Sequence, residues 1–501
     1  VSTSVADRIE ELCRDAADRL QQPGTREAVA SVATKVREPL QVTVAGGVSS
    51  GKSTVVNALL GQRIAAVDAG ECTRVVTRFR YSHHERAEVE LLDGTTRTVA
   101  LDGGSLPPNL GVDLAQVRQV VVHLSNAGLR RLAIVDTPGL NTVTEANQDH
   151  TVSFLGVANQ GRSAQDTASC IGMADALVFL MPHLRQADAD VLGAFRELYD
   201  GTGLSAFNAV AVLSKVDQLS PTGDPMEVAA PIVARMAETT RGIVSDVLPI
   251  VGLLAETATT ARLTEDDARA LAVLAAFGDD LDREDLLLSP DSFLSLSGPD
   301  VAVDQRRRLL EMCGLHGLGV AFEVIDGGGR GAAPILRAFT ERSGFAPLQH
   351  LVLERFGGQA HLIKANNALC DLRRLSYQRV DDADDAAVLR SLRSPLDRLE
   401  LDPTLHHLRV VQVLNEAASG EFRLPAPLLA DLERLATGTD APGQVGVERT
   451  DQVAEAALAG ASRWGTFAND PRRRPLDARR ARAVKEAYEL LWATSTEAAS
   501  A

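Results

Sequence analysis

The sequence predicts an α/β domain, a mostly parallel sheet with helices on both faces, that continues into a region built of helices alone. Three observations carry this. A strand-like run, Val42-Thr43-Val44-Ala45, leads into the glycine-rich stretch Gly46 to Ser53 and then into the helix-compatible VVNALL. Strand-like and helix-like segments then alternate as far as about residue 253, the pattern of parallel strands joined by crossover helices. Beyond that only helical periodicity remains, punctuated by prolines and glycines.

In chain order, Val5, Ile9, Leu12, Cys13, Ala16 and Leu20 recur at helical spacing and predict an amphipathic helix from about Ser4 to Gln21. Gln22-Pro23-Gly24 breaks it, and a second helix, Thr25 to Arg37, leads into the first strand. After the loop helix, Val75 to Tyr81, Ala87 to Leu92 and Arg97 to Leu101 read as alternating strands, with Asp93-Gly94 as a hairpin turn. Strands follow at Val120 to Leu124, Leu132 to Val135, Ala176 to Met181, Asn208 to Ser214 and Val247 to Val251. Helices are expected over Asp188 to Tyr199 and Met226 to Thr240 between the later ones. Leu254 to Phe277, Gln305 to Ile325, Pro334 to Ser343 and Phe345 to Leu375 read as helical, with a flexible break at Gly327 to Gly331. The last long helix is Asp477 to Trp492, whose Val484, Tyr488, Leu491 and Trp492 require an apolar partner, as does the first helix; the two chain ends are therefore expected to pack together. The division is 1–37 as N-terminal helices, 38–360 as the α/β domain with a helical insertion at about 254–335, and 361–501 as a helical bundle packing with the N-terminal helices.

A chain of 501 residues exceeds one compact core. Its formal net charge of -16 speaks against coating nucleic acid, which needs a basic face. The five cysteines are scattered without a C-x-x-C pair, which argues against a disulfide framework or zinc site and suits a reducing, cytoplasmic setting. The longest apolar runs fall far short of a spanning helix, so any membrane contact is expected to be peripheral.

Gly46, Gly51, Lys52 and Ser53 stand at G-x-x-x-x-G-K-S spacing between a strand and a helix. That is a phosphate-binding loop. Backbone N–H groups of Gly46, Gly47, Ser50, Gly51 and Thr54 lie in the stretch that wraps the phosphates, Lys52 supplies a point charge, and Ser53 offers a hydroxyl to Mg²⁺, all at a helix N-terminus that favours anions. The loop alone leaves ATP and GTP open. Asp136-Thr137-Pro138-Gly139 follows the strand LAIV and supplies D-x-x-G, with Asp136 on the Mg²⁺ side and the Gly139 amide at the γ-phosphate. Ser214-Lys215-Val216-Asp217 follows the strand NAVAVL, and the Asp217 carboxylate can accept from N1 and N2 of guanine while adenine is left unpaired. Between these elements, Thr73 and Thr77 are the candidates for a threonine that completes the Mg²⁺ shell; Thr77 sits inside a strand pattern, so Thr73, just ahead of it, is the choice.

Taken together, the loop with VVNALLG behind it, the T-R-V-V-T segment, DTPG, SKVD and the long helical half resemble the dynamin-like large GTPases. Within them, IAAVDAGECTRVVTRFRYS, LLEMCGLHGLGV and ERSGFAPLQHLVLERF resemble the mycobacterial isoniazid-inducible group, in particular its shorter member, over roughly residues 38 to 375. The resemblance implies GTP hydrolysis with Mg²⁺ stimulated by pairing of GTPase domains, a helical neck built from both chain ends, and work at the inner face of the plasma membrane. It also implies that Ser49 helps position the attacking water and a charge-compensating cation. Its neighbour, commonly Gln in eukaryotic dynamins, is Val48, which cannot orient water, so slow turnover or help from a dimer partner is implied. For contact with an anionic membrane surface the chain offers the Ser292-Phe293-Leu294-Ser295-Leu296 stretch, the run Arg472, Arg473, Arg474, Arg479, Arg480, Arg482, and Gly327 to Gly331. The arginines have an alternative use in pairing with Glu10, Glu11 and Asp15 of the first helix. Two other functions fit the motifs: a soluble regulatory GTPase, and a weakly hydrolysing subunit that partners a larger dynamin-like paralogue.

Overall fold

Leu40–Gly46 forms β1, and every side chain in it is buried, because this strand runs through the middle of a sheet covered on both faces. The computed structural model describes residues 4–65, 75–101, 104–107, 109–138, 174–182, 208–219, 223–240, 243–278, 280–295, 300–400, 402–418, 420, 422–438 and 440–500. Two helices precede β1, α1 (Val5–Arg19) and α2 (Pro23–Arg37), and α3 (Lys52–Leu60) follows it. Then come β2 (Thr77–Tyr81), β3 (Arg86–Leu91), β4 (Thr96–Val99), β5 (Val117–Leu124), β6 (Leu132–Asp136), β7 (Ala176–Met181), β8 (Ala209–Ser214), α4 (Pro225–Thr239) and β9 (Val247–Ile250). Among the described residues the sheet has nine strands, in the order β4-β3-β5-β2-β6-β1-β7-β8-β9. From β6 to β9 all neighbours are parallel, whereas β2 joins β6 antiparallel and β3 joins both β4 and β5 antiparallel.

The alternation of the strands sorts side chains into two layers. Leu40, Val42, Val44, Ala176, Val178 and Val210 face one core with Val55 and Leu59 of α3; Ala45, Leu177, Phe179, Ala211 and Leu213 face another with Ala229 and Met236 of α4. The helices α5 (Gly252–Thr259), α6 (Glu265–Ala275), α7 (Asp280–Leu287), α8 (Pro290–Ser295), α9 (Val303–Asp326) and α10 (Ala332–Arg342) enlarge the second core. Phe293 is fully buried there, so the Ser292–Ser295 part of the proposed apolar loop is a short helix seated on the core; Leu296 lies outside the described residues.

After α11 (Phe345–His350) and a π-helical turn at Leu351–Phe356, the chain enters α12 (Ala360–Tyr377), α13 (Ala383–Ser391) and α14 (Arg393–Glu400). These share one core with α1 and α2, through Ile9, Cys13, Val29, Val32, Leu369, Leu372, Leu389 and Leu396. A separate core holds α15 (Pro403–Ala418), α16 (Ala426–Thr437), α17 (Ala441–Val445), α18 (Val453–Ala468) and α19 (Pro475–Ser500). The expectation that the two chain ends pack on each other is therefore corrected. Tyr488 of α19 lies flat against Gly460 of α18, where a Cβ would come within 2.5 Å of the ring, while α1 packs on α2, α12 and α13. The reason is local: α18 and α19 form a hairpin, and short connections favour antiparallel neighbours.

α15 runs away from the sheet. Leu405 and Leu408 at its start belong to the inner cores, while Glu416 near its end meets Arg480 at 2.5 Å. The turn between α18 and α19 thus marks the far end of the bundle. Arg472, Arg473, Arg474, Arg479 and Arg482 are exposed around it, together with Leu476, whereas Arg480 is buried. The acids of the first helix do not meet this run: Glu10 pairs with Arg14 and Arg37, and Arg474 pairs with Asp477 at 2.8 Å. Cys13 and Cys313 are buried, and burial pushes both thiols up to about 12, but Cys370 is exposed. Among the described residues, no helix is long and apolar enough to cross a membrane.

Candidate nucleotide-binding site

The loop is shaped by a close crossing of strands. A Cβ at Gly46 would stand 2.4 Å from the Leu180 carbonyl oxygen and 2.9 Å from Ser50 Oγ, and φ there is 153°, so only glycine fits. Gly47 follows, Ser49 takes φ 59° and Gly51 φ 88°, and the Ser50 amide donates to the Gly47 carbonyl at 3.3 Å. The chain thereby folds back over itself and delivers Lys52 as the first residue of α3. The Lys52 ammonium is buried under the loop, where it donates to the carbonyls of Gly47 (2.8 Å) and Gly46 (3.2 Å). Burial holds its pKa below the usual lysine value, with the Asp136 charge opposing. Ser53 and Thr54 occupy the first turn of α3, where backbone N–H groups lack intrahelical acceptors and the helix dipole favours an anion.

Asp136 ends β6 directly beside Val44 of β1. Ser53 Oγ donates to its Oδ2 at 2.8 Å, while Oδ1 is buried with no hydrogen-bond partner among the described residues, as is Ser50 Oγ. Burial pushes the Asp136 carboxyl up to about 6, against the opposing pull of Lys52 and the Ser53 bond. Thr137 turns its hydroxyl back to the Val44 carbonyl at 2.9 Å. Thr77 lies in β2 across from Asp136 with its own hydroxyl toward the Val75 carbonyl. Thr73 and Gly139 lie outside the described residues.

Ser214 ends β8, and its Oγ donates to the Ser50 carbonyl at 2.7 Å, which ties the S-K-x-D element to the phosphate loop. Lys215 takes φ 57° and starts the 3-10 turn Val216–Gln218, on which Asp217 sits half-buried. Partial burial raises the Asp217 carboxyl, opposed by its own amide and by the charges of His316 and Lys215.

Two further polar residues support these elements: one faces Asp217 and the other braces α3 from within the core. His316, two positions past a break in α9 at Gly314 (φ 63°), is held below its ordinary pKa by burial and faces the Asp217 charge. Asn57, one turn beyond Ser53, is completely buried: its carboxamide donates to Glu256 Oε1 (2.7 Å) and the Ala65 carbonyl, and accepts from the amides of Ile64 and Ala65. The asparagine in VVNALLG is the only local signal for it.

The donor set suits Mg²⁺. A hydroxyl and a carboxylate with one unpartnered buried oxygen are hard ligands of the kind Mg²⁺ takes in ones and twos, with phosphate oxygens and water completing the shell. Among the described residues there is no group of three or more His, Cys, Asp or Glu that forms a self-sufficient metal cage.

Comparisons with known proteins bear on the same stretch. Residues 42–215 match the profile of the Dynamin family. Over 474 residues, 92% of this chain and 91% of the relative, the sequence is 29% identical to the isoniazid-induced protein IniC of Mycobacterium tuberculosis, in both the CDC 1551 and H37Rv strains. It is 28% identical over 130 residues to the bacterial dynamin-like protein of Nostoc punctiforme, 23% of this chain and 18% of that one. A solved oligomerised bacterial dynamin pair aligns over 98% of this chain and 90% of its own at 14% identity and a TM-score of 0.35. Residues 42–215 thus carry the match to the Dynamin family, and over most of its length the chain is similar to IniC.

Proposed function

We propose that this protein binds and hydrolyses GTP with Mg²⁺, that it works by nucleotide-dependent pairing of its GTPase domains or with a paralogous dynamin-like GTPase, and that it acts peripherally on the anionic inner face of the plasma membrane. The units we assign to this work are residues 1–37 and 361–501 as neck and stalk, and 38–360 as the GTPase domain. The observation that carries the reading is the convergence of Lys52, Ser53, Asp136 and Ser214 on one loop, from three parallel strand ends, with Ser53 bonded to Asp136 and Ser214 bonded to Ser50.

In this reading the loop amides and Lys52 bind the β- and γ-phosphates, and their donors stay fixed while charge moves toward the leaving oxygen. Ser53, Asp136 and Thr73 would hold Mg²⁺, which supplies charge neutralisation across the phosphates when bound. Asp217 reads the guanine edge. Ser49, held at φ 59° in the loop, would stand next to the attacking water, while Val48 is 59% exposed and free of any polar role, so turnover is expected to be slow in the absence of a partner domain. The exposed arginines around the α18–α19 turn, at the far end of the bundle, suit an anionic lipid surface at roughly 1 kcal/mol per charge. The isoniazid-induced relative suggests a role in the response to isoniazid.

Co-sedimentation with anionic liposomes, without nucleotide, with GDP, and with a non-hydrolysable GTP analogue, tests the membrane part. Pelleting that depends on liposomes and rises with the analogue is expected. Protein that remains in solution in every condition would favour a soluble GTPase switch or a subunit that reaches membranes through another chain.

A further inference from the structure

Asp175, the residue before β7, joins parts of the molecule that are far apart in sequence. Its Oδ2 accepts from the Gln41 amide of β1 (2.9 Å) and from Lys364 Nζ of α12 (2.9 Å), and its Oδ1 accepts from Asn367 Nδ2, one turn along α12 (3.0 Å). Its amide donates to the Gln41 carbonyl (3.0 Å), and its carbonyl accepts from Asn208 Nδ2, just before β8, at 2.6 Å. The ion pair is enclosed, with side-chain exposures of 4% for Lys364 and 11% for Asp175.

α12 also seats Ile363 in the apolar core of the sheet, and Asp175 supplies it with directed polar contacts. The chain crosses between the sheet and the core shared by α1, α2 and α12 at two places. One is Glu38-Pro39, between α2 and β1; the other is Gly357-Gly358, after the π-helical turn Leu351–Phe356. A π-turn followed by two glycines is compliant. Apolar faces tolerate sliding, whereas a buried carboxylate with three directed partners accepts one register. β1 and β7, paired from Val42 and Ala176 to Gly46 and Leu180, carry Asp175 at one end and the phosphate loop at the other.

We propose that Asp175 and Lys364 form an electrostatic register lock that seats α12, and with it α1 and α2, in one orientation on the base of β1, β7 and β8, so that this helical unit turns against the sheet only when the pair opens. The lock stands on the interface alone and does not depend on which nucleotide is bound.

The test is the double variant Asp175→Asn/Lys364→Met, in which no charge is left buried. Asn367 Oδ1 is buried without a partner among the described residues, so the new carboxamide has an acceptor for its N–H while its oxygen keeps the Gln41 amide. Spin labels carried on ketone-bearing residues at exposed Thr96 of β4 and Arg390 of α13 report the orientation by pulsed electron–electron resonance. The wild type should give one narrow distance distribution; the double variant should give a distribution at least twice as broad or a second population, with the melting midpoint lost in Lys364→Met alone largely restored. Superimposable distributions would overturn the lock. If the double variant does not fold, Lys364→Gln, which removes the charge pair and keeps a polar side chain beside Asp175, serves the same comparison: broadening supports the lock and an unchanged distribution overturns it.

Discussion

Ser53 Oγ and Asp136 Oδ2 lie 2.8 Å apart, and that bond closes the first turn of α3 onto the end of β6. It leaves Asp136 Oδ1 buried and unpartnered among the described residues, beside the phosphate loop. A carboxylate in that position is costly until a cation arrives.

The cost sets a pH dependence for the protein free of metal and nucleotide. With its folded pKa raised to about 6, Asp136 is neutral in both states well below pH 4, and above 4 the unfolded chain ionises first. Stability from this group therefore falls as pH rises from 4 to 6 and stays low above. Against Asp136→Asn, the wild type should lose about 2 kcal/mol between pH 4 and pH 7. Urea melts at several pH values check this, and parallel profiles would contradict it.

Gly46→Ala should fail as a fold element as well as a site. The new methyl would press on the Leu180 carbonyl, which belongs to the neighbouring strand and cannot move alone. A loss of about 2–4 kcal/mol in thermal or urea unfolding is expected, with nucleotide affinity lost in parallel.

Lys52→Ala should separate the two effects. The ammonium donates to two loop carbonyls and, in the proposed function, would also bind the phosphates, so nucleotide binding should disappear while the melting midpoint changes little. Unchanged GTP affinity in a fluorescence titration would show that the loop is not the site.

Asp217→Asn should move base preference from guanine toward xanthine, because the paired acceptor becomes an acceptor and a donor. Guanine affinity is expected to drop by roughly ten- to a hundredfold, the equivalent of about 1–3 kcal/mol. Competition with GDP and xanthosine diphosphate reads it, and retained guanine selectivity would refute the assignment.

That the loop, Asp136 and Ser214 stand at strand ends was open to sequence reading, because the alternation of strand-like and helix-like segments marks where each strand stops. Partnerships across the chain were not. Lys364 meets Asp175 from 189 residues away, and neither position carries a local signal. Strand alternation predicted β2 and β6 but not that they run antiparallel, since direction leaves no trace in alternation. The apolar stripe of α19 demanded a partner without naming one; α18 and α15 supply it, with Gly460 making room for Tyr488. The SFLSL stretch has the composition of an exposed apolar loop, yet Phe293 fills the core under α9, because composition does not report the space a neighbouring helix leaves.

The measurement that bears most directly on the central claim is the rate of phosphate release from GTP, with ATP as the comparison, in Mg²⁺ at rising protein concentration. Hydrolysis specific for GTP, abolished in Lys52→Ala, with a specific activity that climbs as the protein is concentrated, is the result expected of a GTPase that works by pairing. No GTP hydrolysis at any concentration, or equal use of ATP, would contradict it.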